Sequence, residues 1–190
     1  MWVQSPVEAV AEIAERHAIR PEDVEEIIID PPVGDRMWVS ETGFQSITHA
    51  EFSVPYVVSA YLHHPAPGAA WYSPETLSNP GVIALMQRVK PGPSAPETPE
   101  KGFARFRQGD YPVETVTLRT KDGQTYTASS GKHPGHPHNM YTEAQLRARF
   151  LVQAAPVLSE PEAERAFETL LNAEALSDAA ALSAVLAGEN

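Results

Sequence analysis

Cysteine is absent from this 190-residue chain. Its absence excludes disulfides, thiolate metal sites and a cysteine nucleophile. Lysine is scarce, limited to Lys90, Lys101, Lys121 and Lys132. No apolar run approaches the ~18 residues that a membrane-spanning helix needs. Met1 to Pro6 carries no basic residue and a glutamate-rich stretch follows, which is unlike a secretory signal. There is no glycine-rich phosphate loop, no nucleophile elbow and no His-Glu-x-x-His pattern. A cytoplasmic protein is the expectation. Basic charge is also in deficit: 14 Lys and Arg face 25 Asp and Glu, a net of −11. A surface this negative repels phosphate backbones, so nucleic acid is not an expected partner.

Apolar material is plentiful: hydrophobic residues make up 42% of the chain and charged ones 21%. That supports a folded core in one domain of ordinary size, or one domain with an appendage. The charge is uneven. Residues 1–40 hold nine acids and three bases, residues 141–190 hold eight and three, and the middle hundred holds eight of each. Six of the seven histidines also fall in the middle. An anionic small molecule would meet least repulsion there, although acidic solvated helices flanking a neutral sheet region explain the same asymmetry.

The spacing of Val7, Val10, Ala11 and Ala14 predicts a helix from Pro6 to His17, with Ser5 as its cap. Val24 to Asp30 contains the β-branched run Ile27-Ile28-Ile29, a strand that Pro31 and Pro32 end. Residues 33–47 read as irregular. Ser53 and Pro55 suit the start of an apolar helix that Pro65 stops. Asn79 suits the cap of a helix from Pro80 to Val89. Residues 90–100, with four prolines, read as a surface loop. Val113 to Thr120 and Gln124 to Ser129 alternate around Lys121-Asp122-Gly123, a hairpin signal. From Thr142 the pattern is helical, with a restart at Pro161 and a last stretch through Leu182, Val185 and Leu186 ahead of Gly188. The expected class is α+β: a small antiparallel sheet, helices on one face, then an all-helical C-terminal segment whose apolar faces want another surface.

Three stretches carry candidate chemistry. His133-Pro-Gly-His136-Pro-His138 groups three imidazoles, the side chains that hold zinc or copper. No carboxylate lies nearby and the prolines stiffen the loop, so a rigid turn with one or two histidines at a cleft is preferred and no metal is expected. Lys132 borders this loop; it suits a carboxylate ligand, and equally a solvated position after a strand. Phe52-Ser53-Val54-Pro55-Tyr56 sets a hydroxyl and a phenol within one helical turn. Such a pair suits ligand binding or proton transfer, while a capping serine and a half-buried core tyrosine account for it as well.

The order of these pieces resembles the C-terminal part of the MmgE/PrpD family, which includes 2-methylcitrate dehydratase, cis-aconitate decarboxylase and iminodisuccinate epimerase. The carrying segments are Pro-Glu-Asp-Val-Glu-Glu-Ile-Ile-Ile (21–29), His-Ala-Glu-Phe-Ser-Val-Pro-Tyr-Val-Val-Ser-Ala (49–60) and Asn-Pro-Gly-Val-Ile-Ala-Leu-Met-Gln-Arg-Val (79–89). They continue with the Asp122-Gly123 hairpin, Gly-His-Pro-His-Asn-Met (135–140), Thr142-Glu143 and Leu-Arg-Ala-Arg-Phe (146–150). One proline of the family's Gly-His-Pro motif is missing between Asn139 and Met140. The resemblance implies an α+β lid over residues 1–140, and over 141–190 a segment like the end of the family's helical domain. It implies cofactor-free carbon–oxygen or carbon–carbon lyase chemistry on a small di- or tricarboxylate, at a site whose catalytic residues sit mostly in the helical domain. Only Ser53, Tyr56 and the His136 loop carry over from the family pattern, with Tyr56 at a position that faces the cleft. With Lys132 added from the residue reading, the candidate set is Tyr56 as catalytic and Ser53, His136 and Lys132 as substrate-binding. The expected partner is a separate helical MmgE/PrpD-like subunit, or a second copy. A stand-alone repurposed enzyme and a non-catalytic interaction protein with acidic helices are the alternatives.

Overall fold

A computed structural model describes residues 3–32, 44, 46–95, 97–110 and 113–187. Residues 33–43, expected to be irregular, and Gly188 lie outside the described residues. The chain forms two compact units, Met1–Asn139 and Met140–Asn190.

The first unit opens with helix α1, Gln4–His17, which buries Val7, Val10 and Ile13 and ends at Ala18 in the left-handed region (φ 53°). The helix starts at Gln4 with Val3 at its cap position and no side-chain cap. Ser5 therefore does not cap it; the side chain is buried and its hydroxyl meets Glu114. Strand β1, Val24–Asp30, turns Val24, Ile27 and Ile29 into the core. Helix α2 (Ile47–Glu51) precedes α3 (Val54–His63), whose N-terminus is capped as the sequence predicts: the Ser53 hydroxyl accepts the Tyr56 N–H at 3.2 Å. Helices α4 (Pro74–Leu77) and α5 (Pro80–Met86) follow.

The sequence reading carries α5 on to Val89, but the helix ends at Met86 and Val89–Pro91 forms a short strand, β2. The Ile27 N–H donates to the Arg88 carbonyl (2.9 Å) and the Arg88 guanidinium to the Val24 carbonyl (2.6 Å), which draws this segment alongside β1 and buries Val89. β2 runs parallel to β1. The sheet is therefore mixed rather than wholly antiparallel, because α2 to α5 supply the crossover that a parallel neighbour requires. The proline-rich stretch is also more ordered than a loop: Thr98 caps helix α6, Pro99–Arg107, where proline tolerates the first turn.

Strands β3 (Glu114–Thr120) and β4 (Thr125–Ser130) form the expected hairpin. Gly123 takes φ +87°, which closes the turn between Thr120 and Gln124. The strand order is β2-β1-β3-β4, with β1/β3 and β3/β4 antiparallel. Helices α1 and α3 cover one face, against Ile27, Ile29, Val116 and Leu118. The opposite face is polar: Glu26 pairs with Lys90 (3.1 Å) and Arg119 (3.5 Å), and the Thr115 and Ser129 hydroxyls meet at 2.8 Å.

The second unit contains α7 (Glu143–Ala154), α8 (Glu160–Leu171) and α9 (Ala180–Ala187). Two reciprocal capping boxes, Thr142 with Gln145 and Ser159 with Glu162, start the first two helices. Leu158, Ala163 and Ala166 form a small interior. Arg147 pairs with Glu164 and Glu168 and lies 5.1 Å from the centre of the Phe167 ring. Much apolar surface stays outside: Val152 is 55% exposed and Val157 73%. A groove of about 380 Å³ runs along this unit, lined by Leu146, Phe150, Phe167, Leu170 and Leu171 with Arg149 and Gln153. Among the described residues of both units, no helix is long and apolar enough to cross a membrane.

Candidate functional site

Strand direction places the candidate residues. β1, β2 and β4 run one way and β3 the other, so Asp30, Pro91, Ser130 and Glu114 share one end of the sheet. α1 begins at that end, since Ser5 meets Glu114 while His17 stacks on Tyr126 with ring centres 4.1 Å apart. Tyr61, near the C-terminus of α3, donates to Glu15 near the C-terminus of α1 at 3.5 Å. Ser53 and Tyr56 lie at the start of α3. Lys132 and His136 follow Ser130 directly. The four candidate residues form two pairs, one on a helix start and one in the loop after β4.

Tyr56 is fully buried rather than half-buried. Its ring packs edge-on against Phe44, with centres 5.1 Å apart, and near Tyr72 at 6.3 Å. Its hydroxyl donates to the Trp71 carbonyl, the Trp71 indole N–H donates to the His64 carbonyl (2.8 Å), and the Thr76 hydroxyl donates to the Ala70 carbonyl (2.7 Å). The turn Ala69–Tyr72 is thus bound to both ends of α3. Burial, with a smaller contribution from Tyr72, pushes the Tyr56 phenol up to about 12. Ser53 is fully buried and spends its hydroxyl oxygen on the cap.

The His136 loop is folded on itself. Gly135 takes φ +88°, its N–H donates to the Asn139 carbonyl (2.9 Å), and the Asn139 N–H donates back to the His136 carbonyl (2.7 Å). The Asn139 side-chain amide donates to the Lys132 carbonyl at 2.7 Å. His136 is 3% exposed, and its Nδ1 accepts the His138 N–H at 2.9 Å. Its neutral form therefore carries the proton on Nε2. Burial, then the neighbouring His133, His138 and Lys132, holds its pKa below the ordinary imidazole value. The rings of His133 and His138 stand 5.9 and 5.5 Å from that of His136, and the Nδ1 of His133 faces the Pro134 carbonyl at 3.1 Å. Among the described residues no group of three His, Cys, Asp or Glu converges closely enough to hold a metal ion. Lys132 is exposed at the start of the loop.

Glu114 is the residue at this end that the sequence reading passes over. It is 6% exposed, and its Oε2 is buried with no hydrogen-bond partner among the described residues. Burial pushes its carboxyl up to about 7, against the lowering effect of hydrogen bonds from Ser5 and from its own backbone. The signal was available: in Glu-Thr-Val-Thr-Leu-Arg-Thr the two-residue period that turns Val116 and Leu118 inward also turns Glu114 inward.

Fold and candidate residues together define an α+β module with a hydroxyl and a phenol on a helix start and an imidazole and an ammonium in the loop after its last strand, in a chain that continues into a helical unit. The chain belongs to the MmgE/PrpD family: the model for the MmgE/PrpD C-terminal domain matches residues 1–174. That match takes in the whole sheet and helices α7 and α8. No curated protein is similar enough to the chain to count as a match.

Proposed function

We propose that the chain is a lid-type subunit of an MmgE/PrpD-like lyase that acts on a small di- or tricarboxylate and works with a helical catalytic half outside these residues. On this reading residues 1–140 are the lid, and residues 141–190 complete the helical domain of the partner. The family match across residues 1–174 carries the proposal. The apolar groove and the exposed Val152 and Val157 support it, because such a face is suited to burial against further helices.

The chemistry follows from the four candidate residues. The ammonium of Lys132 and the Nε2–H of a neutral His136 are donors suited to substrate carboxylates. Ser53 fixes the first turn of α3. Tyr56 is the proton donor. A phenol raised to about 12 stays protonated across the working pH range. It gives up its proton only to a strong base, such as the carbanion left next to a carboxylate when a proton or carbon dioxide departs. For that the Tyr56 hydroxyl must exchange the Trp71 carbonyl for the substrate, so closing on the helical half would move the Ala69–Tyr72 turn.

Reconstitution tests the reading. The chain should bind a helical MmgE/PrpD-like half and restore turnover of a tricarboxylate. Tyr56→Phe should bind equally well and slow turnover by about 10²-fold. Ordinary turnover by the 190-residue chain alone, or full activity of the assembled Tyr56→Phe variant, would overturn it.

A further inference from the structure

The two edges of the sheet differ in a way that points to a partner. β2 is three residues long and carries Lys90 and Pro91, features that prevent strand addition. β4 is twice that length and carries no charge, no proline and no bulge. Its pairing with β3 is anchored by the Thr120 N–H donating to the Gln124 carbonyl at 2.9 Å. From that pair the antiparallel alternation turns the main-chain groups of Tyr126, Ala128 and Ser130 toward β3 and those of Thr125, Thr127 and Ser129 outward. These three residues are exposed, and none of the backbone hydrogen bonds among the described residues engages their outward groups.

We infer that β4 is a homotypic joint: two copies of this chain pair antiparallel through Thr125, Thr127 and Ser129, about a two-fold axis at Thr127, to make one continuous eight-stranded sheet. The strand is self-complementary in that register. Thr127 meets its twin, and Thr125 meets Ser129 of the other copy, which gives about six main-chain hydrogen bonds. On the open face the facing side chains are all hydroxyls, like the Thr115–Ser129 pair already formed at 2.8 Å across β3 and β4. On the helix-covered face Tyr126 comes opposite Ala128, large against small in both directions. No charge opposes a like charge along the strand. The same axis sets α1 antiparallel to its twin, so Arg16 and His17 at one C-terminus lie toward the Glu8 end of the other helix, an arrangement that helix dipoles favour. A joint of this size is at the low end of specific interfaces and gives reversible association. The inference stands apart from the lyase reading, since it uses only the edge of the first unit.

Sedimentation velocity on the full chain, from low micromolar to millimolar concentration, tests it. The wild-type chain should shift from monomer toward dimer as concentration rises. Thr127→Lys places an ammonium opposite its twin and should hold the chain monomeric with an unchanged thermal melt; Thr117→Lys, on the same open face but in the central strand β3, should dimerise like wild type. A second readout uses the absence of cysteine: Thr127→Cys should form an interchain disulfide under mild oxidation at least tenfold faster than Thr117→Cys. A wild-type chain that stays monomeric throughout, a Thr127→Lys variant that dimerises like wild type, or equal cross-linking of the two cysteine variants would each overturn the proposal. Dimers that survive Thr127→Lys would place the contact elsewhere, for instance on the groove of the helical unit.

Discussion

Replacing Glu114 with glutamine should make the fold more stable at alkaline pH and leave it nearly unchanged in acid. The carboxyl lies between the sheet and the start of α1, 6% exposed, with Oε2 unpaired among the described residues. Burial raises it from 4.5 to about 7 in the folded chain. The folded state therefore holds this proton more tightly than the unfolded state does. The associated stability is fully present below about pH 4.5 and is lost as pH rises through about 7. A shift of about 2.5 units at 1.36 kcal/mol each corresponds to roughly 3 kcal/mol lost by pH 8, as an order of magnitude. Glutamine keeps the shape and carries no charge, so Glu114→Gln should remove that loss. Urea unfolding followed by tryptophan fluorescence at several pH values between 5 and 8 would measure it, with the difference between the two proteins isolating this group from the titrating histidines. The variant should gain about 3 kcal/mol at pH 8 and less than about 1 kcal/mol at pH 5. Parallel stability curves for the two proteins would refute the reasoning, because they would mean that the buried carboxylate is solvated or paired in the folded state.

Other perturbations test other parts of the fold. Ser59 is fully buried in α3 and its hydroxyl has no partner among the described residues, so Ser59→Ala should stabilise the chain by about 1 kcal/mol in denaturant unfolding. A Cβ at Gly92 would overlap the Asp30 side chain at its Cβ, and Gly92→Ala should lower stability by about 1–3 kcal/mol in the same assay. Tyr56→Phe removes the donor to the Trp71 carbonyl and should cost about 1–2 kcal/mol, with a shift in tryptophan emission. Arg147→Met should weaken the helical unit by about 1 kcal/mol at low salt and less at high salt, read from helical circular dichroism on heating, because the pairs with Glu164 and Glu168 are partly exposed.

What the sequence disclosed was local. Ser53, Asn79 and Thr142 read as helix starts because a capping side chain bonds to N–H groups two or three residues on, within its own segment. Gly123 read as a turn for the same reason. Ser5 misled because the Glu114 carboxyl, more than a hundred residues away, claims its hydroxyl. β2 was hidden because three residues carry no periodicity, and only the Arg88 and Ile27 bonds to distant partners make Val89 a strand residue. α6 was masked by the prolines around it. For the candidate site, the sequence supplied the residue types and their order. That Tyr56 bonds the Trp71 carbonyl, and that His136 sits under its own loop with Nδ1 committed, depends on contacts outside the reach of spacing.

Glu114 hydrogen-bonds with Ser5 near the first turn of α1 and is the register partner of Ser130, where β4 gives way to the last loop of the unit. The polypeptide thus enters and leaves this module at neighbouring points. A folded piece with adjoining ends can be spliced into the interior of an unrelated chain, or excised and joined elsewhere, without stretching its core. Gene rearrangement could therefore move this module as a unit.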